Sequence, residues 1–229
     1  MNILLLGNGK TGSLVAEVAR HHGHNVHAVG AAGNANREAL VPENLSMFDV
    51  VVDFTMPSCV LGHIDACVTA RKNMVVGTTG WYGELGRIKQ LVEEQGTGLV
   101  YGPNFSIGVN LFLEVARTAA AALPHGYSGQ IFERHHASKK DAPSGTAIAI
   151  QNVIREAPGA NAQELEIVSF REGDVVGMHE LVLESAADTM YLCHDAKSRQ
   201  GFAEGAVRAA EWIVGKKGLY DFKDVWREL

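Results

Sequence analysis

The first hundred residues alternate strand-like and helix-like stretches, and this alternation confines the chain to a parallel sheet with crossover helices, an α/β arrangement of Rossmann type. Strand signals fall at residues 2–6, 25–29, 50–54, 74–76 and 99–101, with helical spacing at 10–22, 57–71 and 82–95 between them. After Pro103 the pattern changes. A helix at 107–123 leads to a strand at 127–135 and a helix from Thr146, and three strand-like runs follow at 165–171, 175–184 and 189–196. The second half is therefore expected to be α+β, with a mixed, largely open sheet. Residues 202–215 are helical again, and 223–229 form a short terminal helix. The expected division is a dinucleotide-binding domain over 1–105 and a substrate-binding and oligomerisation domain over 106–205. The tail, 206–229, packs back on the first domain, because Leu219, Phe222 and Trp226 would otherwise be exposed.

The first strand runs directly into Gly7, Asn8, Gly9, Lys10, Thr11 and Gly12, a GxGxxG loop that opens a helix. That context gives the motif its physical sense: a tight turn, backbone access to a pyrophosphate, and close packing of helix on strand. Other strand ends carry Asp53-Phe54-Thr55, Gly77-Thr78-Thr79-Gly80 and Gly102-Pro103-Asn104-Phe105. Open α/β sheets bind ligands at the carboxyl ends of their strands. Thr55 can instead cap the helix that Pro57 helps start, whereas Thr78 and Thr79 lie among small residues and suit ligand contact. No carboxylate follows the second strand until Glu38, and Arg37 is the first strong cation there. This favours a 2'-phosphate over a free ribose hydroxyl, with use of both NADPH and NADH left open.

A second constellation lies between the strand at 127–135 and the helix from Thr146: Glu133-Arg134-His135-His136-Ala137-Ser138-Lys139-Lys140-Asp141-Ala142-Pro143-Ser144-Gly145-Thr146-Ala147. The histidines titrate near neutral pH, the lysines suit a carboxylate or donate a proton, and a helix start with a glycine offers free N–H groups to an anion. The run reads as a pocket for a small acid whose reaction needs a proton. The plain alternative is a solvated loop capped by Ser144.

Composition narrows the field. With 20 basic against 26 acidic residues the net charge is -6, and no Lys/Arg stripe suggests a nucleic-acid surface. No apolar stretch approaches a membrane span and no leader pattern opens the chain, so a cytoplasmic protein without membrane partners is expected. Cys59, Cys67 and Cys193 form no CxxC pair and fit reduced thiols. His21, His22, His24 and His27 invite a metal reading, but no acid or thiolate lies near them in sequence, and His21 and His22 suit the carboxyl end of a helix. No metal is expected.

Taken in order, the glycine loop, Asp53-Phe54-Thr55, Gly77 to Gly80, Asn104-Phe105-Ser106 and the His135 to Ala147 run resemble the dihydrodipicolinate (4-hydroxy-tetrahydrodipicolinate) reductases of lysine and diaminopimelate biosynthesis. Arg171-Glu172-Gly173-Asp174-Val175-Val176-Gly177 and Ser198-Arg199 support the likeness, which spans nearly the whole chain. The resemblance implies reduction of a cyclic unsaturated dicarboxylate by NADPH or NADH, in a homotetramer. It implies His135 as acid/base and Lys139 as proton donor, with His136, Gly145 and Thr146 on the substrate carboxylates. It also implies a nucleotide held by residues 7–12, 77–79 and 102–105. The first loop is one residue shorter than the family's usual one. The rival readings are a dinucleotide oxidoreductase acting on another small acid or semialdehyde, and a non-enzymatic dinucleotide sensor.

Overall fold

The computed structural model describes residues 1–30, 34, 38–158 and 165–229. Contacts divide the chain into two units, Met1–Ile107 with Gln200–Leu229, and Gly108–Arg199.

In the first unit, β1 (Asn2–Leu6), β2 (Asn25–Val29), β3 (Val50–Asp53), β4 (Asn73–Val76), β5 (Gly98–Tyr101) and β10 (Gly218–Asp221) form one parallel sheet in the order β10-β5-β4-β3-β1-β2. β1 is buried on both faces, which explains its unbroken apolar run Ile3-Leu4-Leu5-Leu6. α1 (Lys10–His21) and α7 (Gln200–Ile213) cover one face through Val15, Ala19, Ala206 and Ala210. α3 (Pro57–Thr69) and α4 (Leu85–Gln95) cover the other through Ile64, Val68, Ile88 and Val92. A four-residue helix, α2 (Pro42–Leu45), precedes β3.

The tail holds an element that the sequence reading leaves out. β10 is a sixth strand, parallel to β5 with Leu219 opposite Leu99. Its four residues are too short to show a period of two, and glycine opens the strand. The terminal helix is correspondingly brief: α8 (Phe222–Val225) starts at Asp221, whose side chain accepts from the Lys223 N–H at 3.1 Å, and a 3-10 turn ends the chain.

In the second unit, β6 (Ser128–His135), β7 (Glu166–Arg171), β8 (Met178–Glu184) and β9 (Thr189–Asp195) make a mixed sheet in the order β7-β6-β8-β9. β7 is parallel to β6, and the other pairings are antiparallel. β8 begins three residues later than its apolar pattern suggests; residues 175–177 lie outside the strand, although Gly177 O still accepts from the Ala196 N–H at 3.0 Å. One face of the sheet packs Ile131, Leu181 and Leu183 against Ile150 and Ile154 of α6 (Gly145–Arg155) and against Phe112 and Ala116 of α5 (Ile107–Ala119). With the 3-10 turn that follows it, α5 forms a 19-residue stretch, Ile107–His125, of mean hydropathy 1.2, which has the length and composition of a membrane span. It is nevertheless two-sided, with Phe112, Ala116 and Ala120 in the core and Leu111 and Val115 exposed.

Candidate active site

The nucleotide loop is built from close backbone approaches. Gly7 has φ +99°, a conformation that side chains resist, and a Cβ there would collide with the Phe54 carbonyl oxygen. A Cβ on Gly12 would collide with the Gly7 carbonyl oxygen, whereas one on Gly9 would meet nothing within 4 Å. Two glycines thus close the strand–helix turn and the third leaves room over it. Gly9 ends in extended backbone as the cap of α1, no side chain satisfies the first-turn N–H groups, and no acid sits there. Such a helix start attracts an anion. It faces a cavity of about 280 Å³ lined by Lys10, Thr11, Gly12, Thr55, Thr78 and Thr79, at the point where β1 and β3 diverge towards opposite edges of the sheet. A second hollow of about 470 Å³ continues past Asn8, Gly30 and Asn34. These residues fit a dinucleotide.

Replacing Gly12 by alanine forces the strand and helix backbones apart, and overpacking of this kind costs roughly 1–3 kcal/mol. Gly12→Ala should therefore weaken NADPH binding about tenfold or more in a fluorescence titration. Parent-like binding would mean that the turn does not shape the phosphate site.

Several residues near this cavity have scaffold work. Asp53 is completely buried, and its Oδ1 accepts from Thr55 N at 3.0 Å, Thr55 Oγ1 at 2.7 Å and Thr78 Oγ1 at 2.6 Å. Its Oδ2 lies 2.7 Å from Nδ1 of buried His63 on α3. The Thr78 hydroxyl is thereby committed to holding two loops together, while Thr79 is exposed. Phe105 is buried against Phe222 at 4.6 Å between ring centroids, and a Cβ on Gly102 would come 2.9 Å from Phe222, so both serve packing. Asn104 Oδ1 accepts from the Ser106 N–H at 2.9 Å, and Pro103 is exposed. Gly77 lies so close to the Phe54 ring that a Cβ would overlap it. Arg37 lies outside the described residues.

In the second unit, strand register assembles the other site. The inward residues of β6 run Ile131, Glu133, His135, from apolar core to polar end. Pairing sets His179 opposite Glu133 and Arg171 beside His135. Glu133 is fully buried; its Oε1 accepts from Arg171 Nη2 at 2.8 Å and from the Ser144 N–H at 3.1 Å, and its Oε2 lies 2.8 Å from His135 Nδ1. Burial alone would raise its carboxyl, but hydrogen bonds from Ser144, Ser169 and Arg171 outweigh that and bring it down to about 2. Ser144 caps α6 by accepting from the Ala147 N–H at 3.2 Å, and its hydroxyl also meets His179 Nε2 at 3.1 Å. Gly145 and Thr146 thus begin a helix anchored from below by a carboxylate and an imidazole. A Cβ on Gly145 would meet nothing within 4 Å.

Lys139, Lys140, His136 and Arg199 gather around this base, with Asp141 among them. Lys139 Nζ contacts both oxygens of exposed Asp141 at 2.7 and 2.8 Å, and Lys140 is exposed. His136 Nδ1 meets Ser138 Oγ at 2.9 Å, and its Nε2 lies 3.4 Å from Arg199 Nη2. Gly177 packs on the His135 ring, where a Cβ would lie 3.0 Å from Nε2. Burial lowers the His135 pKa, partly countered by Glu133.

Glu133, Arg171 and His179 were not assigned roles from sequence. Glu133 and Arg171 stand inside motifs quoted above, but His179 sits in an ordinary alternating strand and carries no local signal.

Burial, then the nearby His135, pushes the His179 pKa down to about 4. A folded pKa below the unfolded value of about 6.5 means that stability is fully present above pH 6.5 and is lost as pH falls towards 4. Urea unfolding at pH 7.5 and 4.5 should show about 2–3 kcal/mol less acid sensitivity in His179→Gln than in the parent. Equal sensitivity would contradict this assignment.

A parallel-sheet unit with a glycine-turn anion site, joined to a mixed-sheet unit with a protonatable cationic pocket, defines a dinucleotide-dependent oxidoreductase. Comparison with known proteins narrows this class. Residues 1–105 match the family model "Dihydrodipicolinate reductase, N-terminus", and residues 108–226 match "Dihydrodipicolinate reductase, C-terminus". The chain is 34% identical to the 4-hydroxy-tetrahydrodipicolinate reductase of Neisseria meningitidis serogroup A over 95% of this chain and 94% of that one. It is 35% identical to the enzyme of the same name from Christiangramia forsetii, over 100% and 99%. A solved dipicolinate-bound dihydrodipicolinate reductase from Paenisporosarcina sp. TG-14 superposes with a TM-score of 0.82 at 25% identity, covering 98% of this chain and 99% of that one. The chain belongs to the dihydrodipicolinate reductase family.

Proposed function

We propose that the pocket around His135, Lys139 and the start of α6 binds and protonates a cyclic dicarboxylate. The activity is that of the family: NAD(P)H-dependent reduction of 4-hydroxy-tetrahydrodipicolinate to tetrahydrodipicolinate, in diaminopimelate and lysine biosynthesis. The observation that carries the residue assignment is the buried Glu133, which holds the Ser144 N–H and Arg171 from one carboxylate oxygen and lies with the other 2.8 Å from His135 Nδ1.

The bound nicotinamide supplies the hydride. Gly9 and the first turn of α1 hold the pyrophosphate, with residues 77–79 and 102–105 lining the rest of the nucleotide path. On the substrate, the free N–H groups of Gly145 and Thr146 receive one carboxylate, and His136 orients the ring from the other side. The 4-hydroxyl leaves as water to give a conjugated cyclic imine; hydride from the nicotinamide would add to that ring, Lys139 delivers the one proton that the resulting electron-rich enamine takes up, and His135 steadies the developing charge as the acid/base group beside it. Asp141 holds Lys139 in place until substrate arrives. Arg37 remains our candidate for a 2'-phosphate, with NADPH used at least as well as NADH.

We place the enzyme in the cytoplasm, as a homotetramer without nucleic-acid or membrane partners. Support for self-association comes from the uncovered face of the mixed sheet, where Phe170 and Tyr191 are 38% and 67% exposed. The activity is tested by coupled turnover: a synthase generates the substrate from pyruvate and aspartate semialdehyde, and NADPH or NADH absorbance is followed. Consumption that depends on both the synthase and this chain is expected. Its absence with either cofactor would reject the substrate.

A further inference from the structure

Two of the four histidines around the end of α1, His22 and His24, have acidic partners after all, supplied from about 190 residues away. α1 closes in a Schellman turn, with the His24 N–H donating to Ala19 O at 3.0 Å and the Gly23 N–H donating to Arg20 O at 2.9 Å. Gly23 takes φ +83° in this turn, a conformation glycine adopts at no steric cost, and the reversal brings the rings of His22 and His24 to 6.2 Å between centroids. On α7, Glu204 and Glu211 are seven residues apart, which is two helical turns, so both face α1. Glu211 Oε1 lies 3.1 Å from His22 Nδ1 and 2.8 Å from His24 Nε2. Glu204 Oε2 lies 3.0 Å from the other nitrogen of His22, Nε2.

We infer that His22 Nδ1, His24 Nε2 and the Glu211 carboxylate form a binding site for one divalent transition ion of the zinc type, which pins the end of α1 to α7. One ligand atom from each residue lies within 4.8 Å of the others. Tetrahedral zinc with bonds of about 2.0–2.1 Å needs ligand atoms about 3.3 Å apart. The two measured separations widen by only a few tenths of an ångström to meet that. Two imidazoles and one carboxylate favour zinc, nickel or copper over magnesium and calcium, which take oxygen. Glu204 completes the pattern, because a ligating histidine ordinarily gives its second N–H to a carboxylate that fixes ring and tautomer. The side chains of His22, His24 and Glu211 are 27%, 12% and 37% exposed, so an ion reaches them from solvent and water fills the fourth position. The site touches no residue assigned above to substrate or nucleotide.

The test is calorimetric titration of the full, untagged chain with Zn²⁺ alone. One equivalent should bind the parent and survive His135→Ala, which removes the other cluster of histidines and a carboxylate among the described residues. His24→Ala and Glu211→Gln should each abolish that equivalent, and Glu204→Gln should weaken it about 10–100-fold. Zn²⁺ at a hundred times its dissociation constant should raise the parent's melting temperature by about 5 °C or more, and leave Glu211→Gln unmoved. Circular dichroism confirms that each variant is folded. No bound equivalent in the parent, or one that persists in both His24→Ala and Glu211→Gln, would reduce the cluster to ion pairs between two helices and overturn the inference.

Discussion

Lys139→Ala and His135→Ala should each lose about 10²–10⁴-fold in turnover, the usual loss when a positioned acid or base is removed. Both should keep the parent's affinity for NADPH, since neither residue belongs to the glycine loop or the strand ends of the parallel sheet. Lys139 is held in one place by two contacts to Asp141, whereas Lys140 is exposed. Lys140→Ala should therefore cost much less. Stopped-flow turnover beside cofactor titration separates the cases: equal losses at Lys139 and Lys140 would replace a specific proton donor by a general basic patch.

The second large effect concerns stability. Glu133 is fully buried and balances Arg171, whose side chain is itself mostly buried, while fixing the start of α6 through the Ser144 N–H. Removing one partner of a buried pair leaves an uncompensated charge, at a cost of about 3–5 kcal/mol. Glu133→Ala should lose that much in urea unfolding at pH 7, and turnover should fall with it because Ser144 at the start of α6 and Arg171 lose their common anchor. The double variant Glu133→Leu with Arg171→Met should recover much of the stability but none of the turnover, since an apolar pair of similar volume avoids the stranded charge. A Glu133→Ala loss below about 1 kcal/mol would show that the carboxylate is dispensable to the fold.

The two architectures were legible because each writes a period into the chain. The alternation up to Tyr101 admits only crossover connections, and the three short apolar runs after residue 164 are separated by the turn-type stretches Glu172-Gly173-Asp174 and Ser185 to Asp188, as strands are. β10 escaped because four residues from Gly218 to Asp221 cannot display a period, and their strand character comes from the β5 edge they join. At the sites, residues close in sequence were readable: the glycine loop, and the run from His135 to Thr146. Partners set by register were not. His179 acquires its position only when β8 pairs with β6, and His63 only when α3 packs its buried side over Asp53. The same holds for Glu204 and Glu211, which a local search around His22 cannot find. Thr78 has a duty the sequence does not display: its loop of small residues suggests ligand contact and lines the nucleotide cavity, and its hydroxyl also holds Asp53.

The central claim is that a dicarboxylate seats on the start of α6, and Gly145 gives the cleanest access to it. A side chain there enters open space and disturbs no neighbour, so a change in binding reports on the ligand and not on the fold. The measurement is the dissociation constant of pyridine-2,6-dicarboxylate for the parent and for Gly145→Val, taken with saturating NADPH. Binding in the parent and a loss of at least about tenfold in the valine variant, equivalent to 1.4 kcal/mol, is the expected result. A Gly145→Val chain that binds the dicarboxylate as tightly as the parent would place the substrate elsewhere and leave the helix start a purely structural feature.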